Sequence, residues 1–79
     1  MVKKHLVRGL AAIRASRNRD HDTVSFLIEE GANINATDSS GQTAVIAATL
    51  RRAFDLVSFF VERDADLTVR DSQGKTALM

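Results

Sequence analysis

Two nearly identical nine-residue segments stand 33 positions apart in this chain, DSSGQTAVI at 38–46 and DSQGKTALM at 71–79. The match extends backwards, because residues 22–37 align with 55–70 at the same offset. The 25 aligned positions contain eleven identities, where average composition would give roughly one or two. The chain is therefore built on an internal period of 33 residues, a length typical of stacked repeat architectures.

Each period is predicted to form a loop, a helix, a short turn and a second helix. Thr43 is a suitable N-cap for a first helix over 44–52, since its hydroxyl can accept from the exposed N–H groups of the first turn. Asp55 is expected either to cap the second helix or to place its charge at the positive end of the helix dipole. The second helix should stop near Arg63, with Asp64 in the left-handed conformation that Gly31 takes one period earlier.

Apolar residues in each period predict which surfaces are buried. In the second helix, one apolar stripe at helical spacing comprises Leu56, Val57, Phe60 and Val61. Two lone apolar residues in polar loops, Ile34 and Leu67, are expected to tuck under the helices. A single two-helix unit cannot bury such a stripe by itself, so the units should stack into a solenoid.

The ordered pattern D-x-x-G-x-T-A-V/L, then V-x-x-x-V/L, then G/D-A-N/D-I/L resembles the ankyrin repeat. The resemblance implies one all-α domain over 1–79, a helix-turn-helix solenoid with β-turn loop tips and about two and a half repeats. On this alignment 5–37 is a degraded N-terminal capping repeat, 38–70 a complete repeat and 71–79 the truncated start of another. Two departures concern local geometry: the family's Thr-Pro-Leu-His reads Thr-Ala-Val-Ile at 43–46, and Arg52 replaces the usual glycine between the helices.

The charge of the chain is unevenly distributed along it. Residues 1–19 hold six bases and no acid, whereas 20–79 hold ten acids and five bases. A transit peptide, or a patch for nucleic acid or anionic lipid, would also have this composition. We favour the first helix of a terminal repeat with a solvated outer face, because 5–19 aligns with the first-helix half of a repeat. Its predicted apolar face comprises Val2, Leu6, Leu10 and Ile13.

The sequence carries little that points to chemistry. The run Asp20-His21-Asp22 has metal-ligand residue types, but three consecutive residues point in different directions, so capping and dipole charge are the favoured roles. His5 and His21 are each expected at the surface near a helix end. We find no nucleophile–base spacing and no phosphate loop, and therefore predict a protein that is not an enzyme and has no cofactor or metal. Nucleic acid is disfavoured, because no aromatic residue lies among the bases of 3–19.

The absence of cysteine favours a reducing compartment, and we expect a cytoplasmic or nuclear protein. No apolar run approaches the length of a membrane span. The ankyrin resemblance has a further implication for Asn35, because asparagines at this position of ankyrin repeats are known hydroxylation targets. An acid usually stands two residues before that target, and here the residue is Asn33.

The resemblance implies a protein–protein interaction module whose loop tips and first-helix ends form a concave binding strip. Carried over position by position, the strip comprises Arg17, Asn18, Thr37, Ser39, Ser40, Gln42, Leu50, Arg51, Arg70, Ser72, Gln73 and Lys75. Four of these twelve residues are basic and none is acidic, and Leu50 is the one apolar anchor. We therefore expect a partner protein with an acidic surface around an apolar spot.

A second hypothesis is that the chain is a structural or regulatory part of a longer repeat protein, including one with a separate catalytic domain. The stop at Met79 motivates it, since the helix pair at 44–63 should present an apolar side to a following repeat. The alternative is that another copy of the chain covers the face near Ala77, Leu78 and Met79 by self-association.

Overall fold

The computed structural model describes the backbone of residues 2–78 and the side chains of residues 7–78. Four helices follow one another: α1 (Val2–Arg17), α2 (His21–Glu29), α3 (Ala44–Leu50) and α4 (Phe54–Glu62). Helix α1 packs against α2 and α3, and α3 packs against α4. The described residues contain no strand, so the predicted all-α fold of successive helix pairs is confirmed.

The helices begin where local capping chemistry predicts. The Thr43 hydroxyl accepts a hydrogen bond from the N–H of Ile46 at 3.3 Å, which confirms Thr43 as the N-cap of α3. Helix α4 begins after Ala53, whose side chain makes no capping hydrogen bond. Asp55 therefore lies inside the first turn, and of its two predicted roles the structure shows the one beside the positive end of the dipole.

Each helix end is followed by a residue with a left-handed backbone conformation. Helix α3 ends at Leu50 rather than at the predicted position 52, because Arg52 adopts φ of 56° and cannot continue the helix. Arg63 is the C-cap of α4, as predicted, and Asp64 follows with φ of 58°. Gly31 takes φ of 93° one period earlier, so the predicted correspondence between Gly31 and Asp64 is confirmed.

The core lies where the two helix pairs meet. Its largest fully buried apolar side chains come from all four helices: Ile13, Val24, Val45, Ile46, Leu56 and Phe60. The loop residues Ile34 and Leu67 are partly buried against this core, as their isolation among polar residues predicted. The alanines of α3 are buried, and their small size lets a neighbouring helix lie close.

Two predicted apolar faces were wrong in part. In α4, Val61 is 47% exposed whereas Phe59 is 8% exposed, because Phe59 packs edge-on against the rings of His21 and Phe60. In α1, Leu10 is 39% exposed whereas Ile13 is 2% exposed. The other two members of that predicted face, Val2 and Leu6, lie outside the residues whose side chains are described.

Candidate functional site

The first loop tip is held in shape by one carboxylate. Asp38 Oδ1 accepts hydrogen bonds from the backbone N–H groups of Ser40 and Gln42, each at 2.9 Å. Gly41 lies within this turn with φ of 76°, a conformation that glycine adopts without strain. The side chains of the tip therefore project from a backbone whose conformation is set locally.

The second loop tip repeats this construction one period later. Asp71 Oδ1 accepts from the N–H groups of Gln73 at 2.9 Å and Lys75 at 2.8 Å. Gly74 takes φ of 79° there. The aspartate and glycine of the repeated nine-residue segment thus serve the turn.

The two tips are bonded to each other through the backbone. The N–H of Ser72 donates to the carbonyl of Ser40 at 2.8 Å. This approach needs a glycine at position 41, since a Cβ there would stand 3.2 Å from both Ser72 N and Asp71 Cα. Successive loops consequently form one continuous row of tips.

Arg17 joins α1 to the first tip. Its guanidinium donates to Asp38 Oδ2 at 2.8 Å and to Gln42 Oε1 at 3.2 Å. Partial burial of Asp38 acts to raise its pKa, but the N–H groups of Gln42 and Ser40 together with Arg17 outweigh burial and lower the pKa below its ordinary value. Arg17 and Gln42, two of the predicted partner-binding residues, are thus engaged in holding neighbouring units together.

The end of α3 stands beside this row. Leu50, the last residue of the helix, is 41% exposed, and Arg51 after it is exposed. The guanidinium Nε of Arg19 donates to the Arg51 carbonyl at 3.1 Å, so the preceding turn also holds the end of α3. This contact was not foreseen from the sequence, because it joins residues 32 positions apart.

The remaining predicted strip residues are exposed. They comprise Asn18, Thr37, Ser39, Arg70, Ser72, Gln73 and Lys75. The structure brings together Ser40 with Ser72, and Arg17 with Gln42, while the other strip residues are joined by no side-chain hydrogen bond among those described. Their chemistry is that of hydroxyl, amide and cationic groups facing solvent.

Comparison with known protein families identifies the family of this chain. A family model described as ankyrin repeats (3 copies) matches residues 11–79. The chain belongs to the ankyrin repeat family. Ankyrin repeats are generally protein–protein interaction modules and are typically non-catalytic. No curated protein matches this chain.

The segment 20–22, considered above as a metal site, has a structural role in this ankyrin fold. Asp20 is the N-cap of α2, and its carboxylate accepts from the Thr23 hydroxyl at 2.6 Å and the Thr23 N–H at 3.2 Å. These bonds lower the pKa of Asp20, the hydroxyl bond contributing most. The capping role is confirmed, and across the described residues no group of three metal-ligating side chains comes together.

A further polar cluster joins α2 to α4 on the second-helix side of the repeats. His21 Nδ1 lies 3.2 Å from Asp55 Oδ2, and the guanidinium carbon of Arg63 lies 3.8 Å from the centroid of the Phe59 ring. The hydrogen bond with His21 is the main cause of a lowered pKa for Asp55, followed by the Leu56 N–H. The contacts of His21 with Asp55 and Phe59 connect neighbouring ankyrin units, whereas the Arg63–Phe59 contact lies within one unit.

Asn35 also has a role between the repeats. Its Oδ1 accepts from the backbone N–H of Asp66 at 2.8 Å, which links the loop of one unit to the corresponding loop of the next. In the part of the chain that the structure describes, no helix has both the length and the apolar character that crossing a bilayer requires.

Proposed function

We propose that this ankyrin chain is a non-catalytic module that binds a partner protein along the loop-tip row and the adjoining end of α3. The observation that carries the proposal is the Ser72–Ser40 hydrogen bond at 2.8 Å between two tips that their own aspartates already fix. A surface set in advance by backbone bonds loses little conformational freedom when a partner binds. The exposed side chains on it are correspondingly available for contacts.

The charge of the strip supports an acidic partner. Of its four cations, Arg17 is paired with Asp38, which leaves Arg51, Arg70 and Lys75 as exposed positive groups. Leu50 adds a partly exposed apolar side chain next to Arg51. A partner that places carboxylates around an apolar residue would complement this surface in both charge and polarity.

The test compares proteins captured by the wild-type chain with those captured by strip variants. Leu50→Ala and Arg51→Glu should each lose the same set of partners, with affinities reduced about tenfold or more. Arg63→Glu is the matched control, since it makes the same charge change at an exposed position after α4 that belongs neither to the strip nor to α1. Circular dichroism should show that all three variants remain folded. Retention of every partner by both strip variants would contradict the proposed site.

A second candidate function is self-association, or attachment to further repeats, through the face near Ala77 and Leu78 in the last unit. It is favoured by the exposed apolar side chain of Leu78, with Ala77 packed beside the core. Met79, which we also placed on this face, lies outside the described residues. Light scattering over a range of concentrations tests it, because self-association predicts a mass that rises with concentration and a constant monomer mass contradicts it.

A further inference from the structure

Helix α1 has a second surface that the loop-tip row does not use. One side of the helix is buried against the rest of the fold, through Gly9, Ala12, Ile13 and Ser16. The opposite side carries residues at positions i, i+3, i+4 and i+7, which share one helical face. These line a groove of about 230 Å³: Val7, Leu10, Ala11 and Arg14. Val7 is 62% exposed, so the face has apolar character without a packing partner in the described chain.

The repeat register shows that this groove is a stacking face. One period after Leu10, Ala11 and Arg14 stand Thr43, Ala44 and Ala47. Thr43, the N-cap of α3, and Ala44 and Ala47 within that helix are all buried, and α3 packs against α1. The same helical positions are therefore covered in the second unit and open in the first. A helix laid on α1 would meet a surface with the geometry that already accepts a helix in this fold.

The charge of α1 indicates which kind of helix would bind in the groove. Its sequence has five bases and no acid: Lys3, Lys4, Arg8, Arg14 and Arg17. Arg8 donates to the Glu30 carbonyl at 2.8 Å and Arg17 to Asp38, so two of them are bonded within the fold. Arg14 instead lines the groove, where the equivalent position of α3 is the neutral Ala47. The groove thus combines an apolar floor with a guanidinium.

We propose that this groove, which we call the α1 groove, binds an acidic amphipathic helix of a partner protein. An apolar side chain of the partner would lie between Val7 and Leu10, and a carboxylate would pair with Arg14 in a bidentate contact. An apolar face with a cation at one end complements a helix that has apolar residues on one side and acids beside them. The α1 groove shares no residue with the loop-tip row, so this proposal stands independently of the proposed function.

Two synthetic helical peptides with the same apolar pattern test the proposal, one flanked by glutamates and the other by lysines. Fluorescence anisotropy with the 79-residue chain should show binding of the glutamate peptide, with the lysine peptide at least about tenfold weaker. Binding should weaken as salt is added, because the pair is partly exposed. Arg14→Glu should reverse the preference between peptides, and Val7→Asp should abolish binding of both.

Arg51→Glu is the control, since it makes the same charge change at the end of α3, outside the α1 groove, and should leave peptide binding unaltered. Circular dichroism checks each variant, and Arg14→Gln replaces Arg14→Glu if the latter does not fold. Equal affinity for the two peptides, no effect at Arg14, or an equal loss in Arg51→Glu would each overturn the proposal. The absence of peptide binding at about 1 mM would also overturn the proposal. If the chain instead bound phosphatidylserine vesicles, the basic helix would be assigned to a lipid surface.

Discussion

The backbone N–H of Ser72 donates to the carbonyl of Ser40 at 2.8 Å, and this bond joins the tips of two successive loops. Each tip is already closed by its own aspartate, Asp38 in the first and Asp71 in the second. The spacing between tips is therefore determined by main-chain geometry rather than by the side chains that face solvent. Substitutions of those side chains should therefore leave the row itself in place.

The close approach of the tips predicts different costs for two equivalent glycines. Gly41→Ala and Gly74→Ala both place a Cβ at a positive φ, which costs about 1–2 kcal/mol. At position 41 the Cβ also meets backbone atoms 3.2 Å away, whereas at 74 it meets nothing within 4 Å. We expect Gly41→Ala to lower the free energy of unfolding by about 1 kcal/mol more than Gly74→Ala does. Urea denaturation followed by circular dichroism measures both, and equal losses would show that the approach is not a constraint.

Gly9 predicts a non-additive pair of substitutions. A Cβ at Gly9 would stand 2.6 Å from the Cβ of Ala36, closer than two methyl groups can lie. Gly9→Ala gains about 1 kcal/mol of helix propensity, but overpacking of about 1–3 kcal/mol should make it destabilising. Adding Ala36→Gly removes the opposing methyl group. The double variant should therefore be more stable than the sum of the single changes by about 1 kcal/mol, and strict additivity in a denaturation cycle would contradict the contact.

Asp38 predicts an acid-sensitive component of stability. Its pKa is lower in the folded chain than in the unfolded one, because the hydrogen bonds it accepts outweigh its partial burial. The stabilisation is thus complete above the unfolded pKa of about 3.9 and is lost as the pH falls through the folded pKa. Unfolding free energies measured from about pH 6 to pH 2 should fall less steeply for Asp38→Asn than for the wild type. Parallel curves would mean that the carboxylate contributes nothing to this dependence.

The left-handed residues predict a stabilising substitution. Asp64→Gly should relieve the strain of φ at 58° and raise the free energy of unfolding by about 0.5–1 kcal/mol. Arg19→Gly relieves the same strain at φ of 57°, but it also removes the guanidinium that donates to the Arg51 carbonyl. Arg19→Gly should therefore be less stable than Asp64→Gly in thermal denaturation. The reverse order would show that the Arg19 contact adds no stability.

The candidate site was only partly accessible to sequence reasoning. The period placed Leu50 at the end of α3 and Ser40 at a loop tip, since both follow from local turn and cap chemistry. The resemblance to ankyrin repeats also assigned Arg17 and Gln42 to partner contact, and the structure shows both bonded within the fold. The reason is distance along the chain: Arg17 meets Asp38 across 21 residues, which no local pattern reports.

The sequence by itself determined the ankyrin repeat, the helix order and most of the helix ends, because these depend on interactions among residues only a few positions apart. The Thr43 cap and the glycine turns are of this kind. Only the tertiary structure decided which side of each helix is buried, exchanging Phe59 for Val61 and leaving Leu10 exposed. Helical periodicity specifies an apolar stripe but leaves the helix free to rotate by about one residue, or 100°, about its axis. That rotation is set by the neighbouring unit, and it leaves the α1 groove open.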